Sequence, residues 1–148
     1  MARIDRRRLE GADFPTSMTI ATRFSDLDVQ GHVNNAAAAV LLQEARAGLN
    51  RAAAISELRE GLRPVVASLL IEYAGEMHHP EPVEIATGVL EIGRTSVLIG
   101  QVGRQGGRTT LYAETVLVMT AGNGPTPIPD SLRAAYERAT IRPAEVAA

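Results

Sequence analysis

Between Ser25 and Asn35 the chain reads SDLDVQGHVNN, which gathers two carboxylates, an imidazole, three side-chain amides and a glycine in eleven residues. Asp28 carries the most chemical interest. A carboxylate can attack an activated carbonyl directly or deprotonate a water, provided it lies within hydrogen-bond reach of the reacting atom. The oxyanion formed by such an attack needs donors, and free backbone N–H groups at a helix start supply them with a favourable dipole. Asp28 stands a few residues ahead of the best helix candidate in the chain, so both requirements meet in one stretch. The same residue types also build turns. Asp28 can close an Asx turn, Asp26 can order the loop or pair with Arg23, Gly31 can relieve a backbone constraint, and Asn34 or Asn35 can cap the helix for about 1 kcal/mol. His32 can orient a substrate or act as a structural hydrogen-bonding group.

The elements that must hold this segment follow from periodicity. SMTIATRF alternates so that Met18, Ile20, Thr22 and Phe24 share one face, which predicts a strand over 17–24. AAAAVLLQEARAGLNRAAAI predicts a helix over 36–55, whose polar Gln43, Arg46 and Asn50 leave a broad apolar surface to be covered. Strands are then predicted over 64–75, 83–92, 95–103 and 109–121, with a hairpin at RQGGR and a short helix over 131–138. Residues 1 to about 13 read as a frayed polar arm. One sheet covering one helix buries both apolar faces, an α+β arrangement. Its exposed edge and outer face predict at least a dimer, with sheets joined edge to edge.

Composition narrows the function classes. A chain of 148 residues with 45% hydrophobic and 22% charged residues has the size and balance of one globular domain. Fifteen Lys and Arg against seventeen Asp and Glu, with two Phe and three Tyr, argue against a nucleic-acid binder. The absence of cysteine excludes disulfides, thiolate zinc sites and a cysteine nucleophile. The charged start MARIDRRRLEGAD and the lack of a run of about 18 apolar residues predict a soluble, cytoplasmic protein that does not enter a membrane. His78 and His79 are adjacent, so in extended chain their side chains point opposite ways, and no C-x-x-C or H-E-x-x-H pattern accompanies them. No metal is expected.

The stretch TRFSDLDVQGHVNNAAAAVLLQEARAGL resembles the opening signature of the hotdog-fold acyl-CoA thioesterases, in particular the 4-hydroxybenzoyl-CoA thioesterase-like family. The resemblance rests on R-x-S-D-x-D at Arg23 to Asp28, G-H-V-N-N at Gly31 to Asn35, and E-A-R at Glu44 to Arg46, together with the element order over residues 17–121. It implies a hotdog fold, a curved antiparallel sheet wrapped around a long central helix, in homodimers or homotetramers with active sites at the dimer interface. It also implies that Asp28 is the catalytic carboxylate and that backbone near Gly31, His32 and Val33 polarises the thioester carbonyl. Glu44 is the alternative carboxylate, because some hotdog hydrolases use an acid from the central helix.

Substrate contacts are expected from Asn35, whose amide can hold the loop around the thioester, from Glu44, and from His78, whose link can approach the opposite subunit's site. Arg94, Arg104 and Arg108 at strand ends could meet coenzyme A phosphates or remain solvated turn residues. Family members usually carry an aromatic residue where this chain has Ala38, and the small side chains of Ala36 to Ala39 would leave room for a larger acyl group. The expected activity is hydrolysis of an acyl-CoA, with no dissociable cofactor. The alternatives are a non-hydrolytic binder of acyl-CoA or acyl-carrier protein, and a hotdog hydratase or dehydratase, whose acid and histidine pairing on the central helix this sequence lacks.

Overall fold

Asn34 decides where the central helix begins. Its backbone is extended and its side chain accepts the Ala36 N–H, satisfying one of the donors that a helix start leaves open. Helix α1 therefore runs Asn35–Ala52. It ends before Ala54, which takes a left-handed φ of 53° and opens a short 3-10 turn at Ile55–Leu58. In this computed structural model, which describes residues 3–145, the helix lies against one antiparallel sheet. The strands are β1 (Thr16–Ile20), β2 (Arg63–Tyr73), β3 (Val83–Ile92), β4 (Ser96–Gln105) and β5 (Arg108–Thr120), ordered β1-β3-β4-β5-β2. Helix α2 (Asp130–Arg138) follows. This is the expected α+β hotdog arrangement, a curved antiparallel sheet wrapped around the long helix.

The alternation of the strands sets which residues meet α1. Val83, Ile85, Leu111 and Ala113 pack against Ala38, Leu41, Leu42 and Ala45 near the helix start. Val97, Ile99, Leu117 and Met119 pack against Leu49, Ile55 and α2's Leu132 and Tyr136 at the far end. The turn between β4 and β5 is the two-residue loop Gly106-Gly107, with φ of 55° and 76°, a conformation that side chains with a Cβ resist.

Two expectations need correction. The first strand stops at Ile20, not Phe24, because the Asp26 carboxylate captures the Arg23 N–H at 2.8 Å and turns the chain into a 3-10 segment at Phe24–Asp26. Phe24 is left 80% exposed. The N-terminal arm is not frayed over its described length. It crosses the outer face of the sheet, where Ile4 and Leu9 are buried with Val102, Tyr112 and Ile141. Glu72 accepts the Ile4 N–H at 2.6 Å and both Arg6 Nε and Nη2, while Arg6 stacks over the Tyr112 ring. Gly100 permits this approach, since a Cβ there would stand 2.8 Å from Leu9. Much of the outer face is thus covered by the chain itself.

Candidate active site

Two loops meet at the start of α1: residues 21–34, and residues 74–82 after β2. Val33 donates its N–H to Met77 O at 2.8 Å, and Asn34 donates to Asp26 O at 2.7 Å. Asp26 is buried, and the Arg23 guanidinium beside it holds its carboxyl below the ordinary aspartate range. It orders the loop, as its spacing from Arg23 suggests. Behind the second loop stands Gln105, fully buried, which accepts the His78 N–H and donates to the carbonyls of His78 and Glu81. No local motif marks Gln105. Its signal in the sequence is a polar residue at an inward position of β4, two steps beyond Gly103 and four beyond Gln101.

Between the loops lies a cavity of about 460 Å³ whose walls include Asp28, His32, Val33, Asn35, Tyr73 and Glu76. Four of the residues singled out by the sequence therefore converge. The Asp28 carboxylate is half tethered: Oδ1 accepts the N–H of Gln30 at 2.9 Å and of His32 at 3.1 Å. This is the Asx-type turn, and it coexists with a chemical role because Oδ2 has no hydrogen-bond partner among the described residues. One oxygen fixes the carboxylate and the other remains available.

The donors expected at Gly31, His32 and Val33 are otherwise engaged. Gly31 N–H bonds Asp28 O, His32 N–H bonds Asp28 Oδ1, and Val33 N–H bonds Met77 O. A tight loop needs these groups to hold its own shape. The amide that remains is that of Asn35, the first residue of α1, which donates to nothing among the described residues and belongs to a cavity-lining residue. Tyr73, which the sequence marks only as a strand residue, donates its hydroxyl to Asn35 O at 2.8 Å. Burial pushes the Tyr73 phenol above its ordinary pKa, which keeps it a donor.

His78 adjoins the cavity without lining it. Its ring lies edge-on to His32 with centroids 5.2 Å apart, and its Nε2 stands 3.9 Å from Glu76 Oε2. His79 points the other way, to Thr22 Oγ1 at 2.9 Å, as adjacent residues in extended chain should. Among the described residues no group of three or more His, Cys, Asp or Glu side chains is arranged to hold a metal ion.

Three further expectations meet a different arrangement. Glu44 is exposed on the helix flank that faces the charge of Arg23, outside the cavity. Arg94 sits at the turn between β3 and β4, where its carbonyl accepts the Ile128 N–H, at the opposite end of the sheet from Tyr73 and the start of β5. Arg108 is the arginine that reaches the site loop, donating to Glu76 O at 3.3 Å. Ala38 is fully buried against the sheet, and Ala36 to Ala39 do not line the cavity, so the space that an aromatic side chain would fill has been taken by the core.

A larger groove of about 830 Å³ lies near the β4–β5 turn, lined by Thr19, Glu84, Arg104 and the two turn glycines. It has no helix start to supply free backbone donors, so the smaller cavity is the better candidate for carbonyl chemistry.

Comparison with known proteins gives the family. The profile of the thioesterase-like superfamily matches residues 22–136, which spans both loops, α1 and the whole sheet after β1. The chain belongs to that superfamily. Among solved structures it is similar to a thioesterase from Thermus thermophilus complexed with coenzyme A and zinc, at 26% identity over 88% of this chain and 96% of that one, with a TM-score of 0.71. A predicted thioesterase from Bacillus stearothermophilus is 25% identical, covering 86% and 97% of the two chains, with a TM-score of 0.76. A gentisyl-coenzyme A thioesterase at 19% identity, over 82% and 99% with a TM-score of 0.73, supports the fold alone. No curated protein sequence matches the chain.

Proposed function

We propose that this thioesterase-like protein hydrolyses the thioester of an acyl-CoA at the cavity before α1. The observation that carries the proposal is the pairing, in one cavity, of a carboxylate oxygen without a partner on Asp28 and an uncommitted N–H on Asn35. Asp28 takes a proton from water, the hydroxide adds to the carbonyl carbon, and the oxyanion is met by the Asn35 N–H at the positive end of α1. Collapse breaks the C–S bond, and the sulfur leaves with its electron pair and acquires a proton.

Coenzyme A is the proposed leaving group because a relative of similar fold carries it and because Arg108, at the cavity's edge, offers a charge to phosphate. The cavity opens beside Tyr73, on the edge strand β2, where Val65, Val66 and Tyr73 are 51%, 49% and 44% exposed. Edge-to-edge pairing of two β2 strands in a homodimer would cover this row and complete the cavity wall.

The deciding experiment follows thiol release from short, medium, long and aromatic acyl-CoAs by the native protein and by Asp28→Asn. Turnover of at least one substrate, with a loss on the order of 10²-fold or more in the folded variant, is the expected result. Saturable acyl-CoA binding without thiol release would replace hydrolysis by binding, and equal activity of the variant would remove Asp28 from its role.

A further inference from the structure

Glu76 carries no mark in the sequence, yet it brings two histidines to the mouth of the cavity. Its Oε2 stands 3.2 Å from His32 Nε2 and 3.9 Å from His78 Nε2. The His32 side chain is 29% exposed against 64% for Glu76, so the imidazole is the more enclosed partner and the carboxylate reaches it from the solvent side. The backbone at both residues is fixed: His32 N–H is tied to Asp28 Oδ1, and Glu76 O accepts from Arg108, with the Gln105 clamp two residues further on. An exposed ion pair contributes little to stability. What it can do is bias a tautomer, because a carboxylate 3.2 Å from Nε2 favours a proton there by its charge and leaves Nδ1, which has no hydrogen-bond partner among the described residues, as the ring's open nitrogen.

We infer that Glu76 is a positioning residue for His32, fixing Nε2 as the nitrogen turned to the protein and Nδ1 as the one that serves the departing sulfur. The inference rests on the thioesterase reading and extends it to the second half of the reaction. With Nε2 protonated, Nδ1 of the neutral ring is open to receive, through water, the proton that Asp28 has removed, and when the C–S bond breaks the sulfur keeps the electron pair and takes that proton from Nδ1. Asp28 and the ring are then both back in their starting states. Thioester and water go in, acid and thiol come out, and no oxidant or further reactant is needed. His78 shares the same carboxylate oxygen at a longer distance, so it limits how far Glu76 can swing and does not replace His32.

The test has two arms with independent readouts. In the first, ¹⁵N-labelled native protein, Glu76→Ala and Glu76→Gln are compared by long-range ¹H–¹⁵N spectra of the histidine rings at a pH where they are neutral. His32 should be protonated at Nε2 in the native protein and in Glu76→Gln, which keeps an acceptor oxygen, and should become a mixture of tautomers in Glu76→Ala. In the second arm, kcat should fall about tenfold in Glu76→Ala with KM changed less than twofold, and should recover to within about threefold of native in Glu76→Gln. An Nδ1-protonated His32 in the native protein, an unchanged tautomer in Glu76→Ala, or a loss confined to KM would overturn the inference. If the native protein releases no thiol while the tautomers behave as expected, the positioning stands and its assignment to thioester cleavage falls. If the native protein is active and the His32 ring is indifferent to Glu76, thioester cleavage stands and the positioning falls.

Discussion

At the scale of single residues, the site is a matter of which donors and acceptors are already committed. The loop before α1 uses the amides of Gly31, His32 and Val33 to hold itself together, which leaves Asn35 as the proposed oxyanion donor. That assignment has an unusually clean test. Asn35 is the first residue of the helix, a position where proline is tolerated because the N–H has no helical partner. Asn34 before it is extended, with φ −61° and ψ 144°, the conformation that a following proline prefers. Asn35→Pro should keep the fold, with a melting temperature within a few degrees of native, while losing roughly 10²- to 10³-fold in kcat through the missing N–H. Loss of less than tenfold in a folded variant would place the donor elsewhere. The Asp28 half of the site was legible in the sequence because a carboxylate, a turn and a helix start are local features. The choice of amide was not, since it depends on Met77, more than forty residues away.

At the scale of elements, two contacts decide whether the loops stay where the chemistry needs them. The Gln105 side chain makes three hydrogen bonds to the 74–82 loop, and Gln105→Ala should lower stability by about 1–3 kcal/mol, read by chemical denaturation, as three part-buried backbone groups lose their mate and a buried side chain is truncated. Activity should fall with it, because Glu76 and Met77 belong to the same loop. Asp26 works on the other loop and gives a pH signature. Its carboxyl is held below the ordinary range chiefly by the hydrogen bond from Arg23, so its contribution is complete above the pKa of an unfolded aspartate, near 4, and is lost as pH falls through the depressed folded value. Melting temperatures from pH 7 to 2.5 should therefore decline in the native protein and decline less steeply in Asp26→Asn, which starts lower. Parallel curves would mean that the pair carries no linkage. Strands, helix and hairpin were readable from period and turn chemistry, while the early end of β1 was not, because an alternating run carries no sign that Asp26 will capture the Arg23 amide. The surroundings of the alanine stretch were hidden for a related reason: composition shows that Ala38 is small but not that the sheet closes over it.

For the whole molecule the question is which surfaces remain free for a second copy. The outer face of the sheet is occupied by the N-terminal arm, held by Ile4 and Leu9 in the core and by Arg6 on Glu72. The arm reads as frayed in the sequence because its apolar residues are few and separated by arginines, and only the acidic, glycine-flattened face opposite explains why it docks. The long edge strand β2 is left with unpaired backbone and half-exposed apolar side chains, and the candidate cavity opens beside its last residue, Tyr73. Dimerisation through β2 and activity should thus be coupled. A charge at Val66 should separate the two, because this side chain is 49% exposed in one chain, so Val66→Lys costs the monomer little yet would bury an unpaired ammonium in the proposed interface, a penalty of several kcal/mol. Light scattering should show native protein at twice the chain mass and Val66→Lys at the single mass, with a native-like circular dichroism spectrum. Thiol release should fall with the dimer fraction as the protein is diluted. A variant that is monomeric and fully active would show that one chain completes its own site, and a variant that remains dimeric would move the interface away from β2, leaving the assignments of Asp28 and Asn35 untouched.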